Sequence, residues 1–173
     1  MDNISAQEQT DIKKIAAIKA EIENGMNDFD YANNITDELY RYQPFILSTI
    51  MGYKMDVAME DLPDLINLYV LIWIFYRDRK NVRTIKITEQ QYSKQESRFV
   101  AMLKKYETTM SAAAKNKMID DDLNSFSSKS LYAMLVSECR ENKILHRLNR
   151  QSGGAVYAGY ITLLKCFDEI IAK

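Results

Sequence analysis

Four cations, Arg140, Lys143, Arg147 and Arg150, recur at steps of three, four and three. Residues three and four apart are neighbours on a helix, so this spacing gives one basic stripe. A stripe of that kind can neutralise a phosphate backbone or an acidic protein surface along a line. The competing reading, which we prefer, is a solvated face whose cations complement a helix C-terminus. Glu138 and Glu141 lie close by and dilute the field. A second basic group, Arg77, Arg79, Lys80, Arg83 and Lys86, has Asp78 as its only acid. If exposed, it is the better anion-binding candidate. Dipole complementarity and solvation account for it equally well.

Other chemistry is thinly represented. Asp120-Asp121-Asp122-Leu123-Asn124 opens like a calcium loop, but Ser125 stands where glycine is needed and Leu131 where a bidentate glutamate belongs. An acidic loop before a helix is the sufficient explanation. His146 is the single histidine, so no two-histidine metal site can form. Seven residues separate it from Cys139, which puts the pair two turns apart, about 10 Å by helix rise and too far for a hydrogen bond. Cys139 and Cys166 are isolated among apolar neighbours and read as reduced core thiols. No phosphate-binding loop, nucleophile elbow or paired-cysteine zinc motif occurs. Gly153-Gly154 could open a helix whose bare N–H groups hold an anion, but close helix packing past small residues is preferred. No cofactor, metal or catalytic residue is therefore expected. Of the eleven tyrosines, Tyr31, Tyr40, Tyr42 and Tyr53 fall outside the strongest apolar stripes. Tyrosine is enriched at interfaces, which makes Tyr40 and Tyr42 candidates for a contact surface.

The elements that must carry these side chains read as helices. Leu65 to Tyr76 is the strongest signal: eleven of its twelve residues are apolar or aromatic. A helix apolar all round must be surrounded, and this one is shorter than the ~20 residues that lipid requires. It is expected at the centre of the fold, with Pro63 tolerated in its first turn. Ser5-Ala6-Gln7-Glu8 reads as a capping box that starts a first helix, which stops at Asn24-Gly25. Met26–Asn34 reads as a loop and a second helix begins near Asn34 or Thr36. Pro44 disfavours helical backbone at Gln43 and predicts a break there. Val82–Ile87 alternates like a strand but has no partner, so it reads as a linker. Thr88-Glu89-Gln90-Gln91 is a second capping box, opening a long helix that extends to Ala112-Ala113-Ala114. Asp120–Ser127 reads as a loop, and two further helices are separated at Gly153-Gly154.

Composition supports this. Five Gly and two Pro in 173 residues are too few for a turn-rich β architecture. The expectation is an all-α, single-domain bundle (1–173) of about six helices around Leu65–Tyr76. Met1-Asp2-Asn3 lacks the basic and apolar regions of a secretory signal, so a cytoplasmic protein without a membrane segment is expected. Net charge is −1, yet residues 1–64 carry 13 acids and 5 bases, and residues 65–118 carry 4 and 11. These segments are expected to meet, within one chain or between copies. The favoured role is a non-enzymatic protein-interaction module, an assembly subunit (of bacterial or phage type) or a small adaptor or inhibitor, with a protein partner or a second copy. A nucleic-acid-associated regulator using a basic face ranks second, because a pI near 5.9 argues against a dedicated polyanion binder. An enzyme assembled from scattered side chains ranks third.

Overall fold

The computed structural model describes residues 5–52, 57–59, 61–109, 111–141 and 150–173, with side chains in the last stretch from residue 153 onward. Eight helices occur among them: α1 (Ala6–Gly25), α2 (Phe29–Tyr42), α3 (Pro44–Gly52), α4 (Leu62–Tyr76), α5 (Glu89–Thr108), α6 (Ala112–Asn124), α7 (Lys129–Glu141) and α8 (Arg150–Ile171). No strand is present among the described residues. The all-α class holds, with more helices than the six expected.

The extra helices come from local capping. Asp28 accepts the backbone N–H groups of Asp30 and Tyr31 at 2.8 and 3.2 Å, so α2 starts at Phe29, inside the stretch read as a loop. The long helix expected to reach Ala114 is two helices. Thr109 turns extended at ψ 123°, and Ser111 then caps α6 by accepting the N–H of Ala114. Asp120–Asn124 are helical and belong to α6 instead of forming a loop. Gly153-Gly154 lies inside the first turns of α8 and does not interrupt a helix. A Cβ at Gly154 would meet nothing within 4 Å, so the glycine there serves no close packing.

Gly25 ends α1 without entering the left-handed region expected of it. Its lack of a side chain matters for another reason: a Cβ would lie 2.9 Å from the ring of Tyr31. The missing methyl leaves room for the Tyr31 ring against the end of α1, where the Tyr31 hydroxyl also donates to Glu21 at 2.9 Å. The Ser5 capping box forms as its spacing predicts, with Glu8 N–H donating to Ser5 Oγ and Ser5 N–H donating to Glu8.

The core is shared by two helices. From Leu68 to Tyr76 every residue of α4 is buried, and Trp73 and Ile72 are fully enclosed. Opposite them α8 buries Tyr160, Ile161, Leu164, Phe167 and Ile170. Tyr160 Oη donates to the Leu65 carbonyl at 3.0 Å. Tyr69 packs on Tyr160, and Tyr76 stacks on Phe167 with ring centroids 4.8 Å apart. Offset aromatic pairs of this kind add ~0.5–1.5 kcal/mol beyond area burial. Against this pair pack α1 and α3 on α4, and α5 and α7 on α8. The picture of one central helix is thus corrected to a central pair, because α8 buries an apolar face from Tyr160 to Ile170 against α4.

Val82–Ile87 forms no strand and needs none. Gln43, at the break between α2 and α3, has a fully buried side chain. Its Nε2 donates to the carbonyls of Val82 and Ile85 at 2.7 and 2.9 Å, and its Oε1 accepts the N–H of Ile87 at 2.9 Å. One amide side chain therefore does for this connector what a neighbouring strand would do.

Candidate functional site

The basic segment after α4 faces carboxylates of the first third of the same chain. Arg77 lies 3.2 Å from Glu38 and 4.0 Å from Glu21. Glu38 also accepts the indole N–H of Trp73 at 3.0 Å, so one carboxylate joins α2 to the core tryptophan and to Arg77. Arg79 reaches Asp11 on α1 at 3.6 Å, and Asp11 is only 3% exposed. The Arg79 guanidinium also covers the rings of Phe75 and Tyr76, 4.6 and 5.2 Å from their centroids. Arg83 binds Asp78 at 2.8 Å and lies over Tyr42. Lys80 and Lys86 are exposed. The second basic group thus splits: three arginines have carboxylate partners within the chain, and two lysines face solvent.

Lys14 adds to this junction. Its Nζ donates to the Phe75 carbonyl at 2.7 Å, at the C-terminal end of α4. Burial, with Arg79 nearby, holds its pKa below the ordinary lysine value. The cations gathered here also complement the negative end of the α4 dipole.

The first basic stripe is only partly in view. Lys143 and Arg147 lie outside the described residues, as does His146, and so does the side chain of Arg150. Arg140 is exposed near the end of α7 and borders a pocket between α5, α6, α7 and α8. The candidate tyrosines part company. Tyr42 is half-buried and stacks toward Trp73 at 6.3 Å, beneath the guanidinium of Arg83. Tyr40 is 72% exposed. Tyr53 lies outside the described residues.

Tyr40 has a companion that the sequence reading passed over. Phe29, the first residue of α2, is 78% exposed. Eleven residues separate the two, very nearly three full turns, so both rings project from one face about 16 Å apart along the axis. Asn33 and Thr36 lie between them and are exposed, while Ile35 and Leu39 turn inward to the core. Asp30 and Asp37 flank the same face and are also exposed. The available signal was Asp28 as an N-cap. It moves the helix start to Phe29 and brings the i, i+11 spacing into register.

A second polar cluster is invisible in sequence spacing. Asp168 on α8 accepts Tyr76 Oη at 2.8 Å and the Ser127 N–H at 3.0 Å, and the Ser127 hydroxyl bonds to it as well. Burial, then Asp168, holds the Tyr76 phenol well above its ordinary range. The cluster ties α4, α8 and the start of α7 together. Its partners are 41 and 92 residues apart in sequence.

Among the described residues, no three His, Cys, Asp or Glu side chains converge as a metal site, and no helix is long and apolar enough to cross a membrane. Comparison with known protein families, characterised proteins and solved structures finds no match.

Proposed function

We propose that this chain is a non-enzymatic protein-interaction module that docks through the outer face of α2. The observation carrying this reading is the exposure of Phe29 and Tyr40 on one helix face. Single exposed apolar residues are common on protein surfaces. Two aromatic rings in register on one helix face offer a partner two large anchors, and a few such side chains supply most of the binding energy of an interface. Asp30 and Asp37 border the rings, so the partner suited to this face is a protein with an apolar groove rimmed by lysine or arginine. Commitment of Arg77, Arg79 and Arg83 to carboxylates of the same chain favours this reading over a nucleic-acid regulator.

A photo-crosslinking phenylalanine placed at Phe29, at Tyr40 and, as a control, at exposed Lys104 tests it in the cells of origin. The expected result is one and the same partner captured from positions 29 and 40 and absent from 104. The double variant Phe29→Ser, Tyr40→Ser should lose that partner while unfolding within ~0.5 kcal/mol of the parent, as exposed substitutions do. No capture from either position, or capture equal to that at Lys104, would sink the reading. Capture of a second copy alone would replace the partner with self-association.

A further inference from the structure

Two hollows adjoin where α6 meets α7. The first, of about 400 Å³, lies between α1, α6 and α7, and Glu8, Ile12 and Lys129 help to line it. The second, near 370 Å³, is the pocket that Arg140 borders. Leu123 and Ala133 line both, so the two hollows form one furrow along α7. None of the residues of α6 is buried, and the furrow leaves apolar groups at the surface. Ile12 is 47% exposed, Ile119 is 44% exposed, and Ala133 is exposed as well. Contiguous exposed apolar surface of this kind marks a contact site.

Length and charge say what fits the furrow. Eleven residues separate Lys129 from Arg140 on α7, the same separation as Phe29 and Tyr40 on α2. Each pair therefore spans ~16 Å along one side of its helix. The two ends of the furrow differ in charge. Arg140 stands at one end, and Asp122 in that hollow is already bound to Lys165 at 2.9 Å. At the other end Lys129 has Glu8 for company. The two ends of the α2 face differ in the complementary sense. Asp28 and Asp30 are exposed at the Phe29 end, whereas Asp37 is accompanied by Arg41 at the Tyr40 end, both exposed. Laid antiparallel to α7, the α2 of another copy sets its acidic end on Arg140 and its mixed end on Lys129 and Glu8. That direction also opposes the two helix dipoles. Complementary charge fixes the register and direction of a contact.

Resting on the reading of α2 as a docking face, we propose that the furrow receives α2 of a second copy of this chain. Phe29 then sits at the Arg140 end and Tyr40 at the Lys129 end. The contact joins unlike surfaces, and each copy carries one of each. Such a pairing grows into a closed ring or an open chain of copies.

Sedimentation equilibrium of the intact chain over a concentration series is the test. Average mass should rise with concentration. The double variant Phe29→Ser, Tyr40→Ser on one surface, and Ala133→Glu on the other, should each weaken association about tenfold or more, as loss of an interface anchor does. All three positions are exposed, so both variants should stay folded. An equimolar mixture of the two should recover a complex of one copy of each, because each keeps the surface that the other has lost. Asp30→Lys and Arg140→Glu should each weaken association, and the two together in one chain should restore it. A chain that stays monomeric at every concentration would overturn the second copy as occupant. So would association unmoved by either surface variant, a mixture that does not recover, or paired reversals that do not rescue. If crosslinking from positions 29 and 40 then captures a different protein, docking through α2 stands and only the occupant of the furrow is wrong. If it captures nothing, both readings fall.

Discussion

The side-chain carbonyl of Gln43 accepts the backbone N–H of Ile87 at 2.9 Å, in the interior of the molecule and across 44 residues of sequence. The same amide donates to the carbonyls of Val82 and Ile85. Removing it leaves three main-chain groups without partners, and a buried unsatisfied group costs ~1–3 kcal/mol. Gln43→Leu should therefore destabilise the chain by about 3 kcal/mol in urea melts, and amides of residues 82–87 should lose protection first. A loss below ~1 kcal/mol would mean that the connector finds other partners.

Trp73 is enclosed, and its indole N–H donates to Glu38. Its fluorescence maximum should be that of a buried indole. Trp73→Ala should cost ~3–5 kcal/mol. Trp73→Phe should cost less but should also weaken the Arg77–Glu38 pair, because Glu38 loses one of its two donors. A double-mutant cycle between positions 73 and 77 reads that coupling, and strict additivity would show the two contacts to be independent.

Asp11 is buried beside Arg79 and accepts Gln7 Nε2 at 2.8 Å. Asp11→Ala leaves the guanidinium of Arg79 without its carboxylate and should cost ~1–3 kcal/mol. Because this pair is sheltered, the loss should change little with added salt, whereas the exposed Arg83–Asp78 pair should be screened away. A salt dependence as large for Asp11→Ala as for Asp78→Ala would contradict the burial argument.

Alkaline pH should unfold this protein early. Burial pushes the Cys139 and Cys166 thiols up to about 12, and burial with the Glu21 hydrogen bond pushes the Tyr31 phenol up to about 12. Tyr76 and Tyr157 are raised by burial too. In the unfolded chain these groups ionise near ~8.5 for Cys and ~10 for Tyr. A group whose folded pKa is raised contributes stability that is complete below its unfolded pKa and lost as pH climbs toward the folded value. The Tm should be level from pH 7 to 8 and fall steadily above that. A flat profile to pH 11 would contradict these shifts.

The parts of the fold legible in the sequence were those fixed by local chemistry. The apolar run of α4, the Ser5 capping box and the break before Pro44 each depend on residues within a few positions. Thr88 shows the limit. Its hydroxyl caps α5 as expected, accepting the N–H of Gln91 at 3.2 Å. The Gln91 side chain, however, crosses to α8 and donates to Glu169 at 3.1 Å. A tertiary partner claimed the group that local spacing had assigned to the cap. The same holds at the candidate surfaces. The basic cluster after α4 stood out in the sequence, but the carboxylates that meet Arg77 and Arg79 lie on α1 and α2, brought in by folding. Phe29 was hidden by an acidic, asparagine-rich stretch that reads as loop until Asp28 is placed as a cap.

The thin burial of α6 has a consequence in time as well as in space. Thirteen residues are about the length at which an isolated helix is marginal in water. A helix that buries none of its residues gains little from the rest of the molecule, so its opening free energy lies far below that of α4 or α8. Its backbone amides should exchange with solvent by local opening while those of the central pair wait for global unfolding. Opening at α6 thus leaves the core intact.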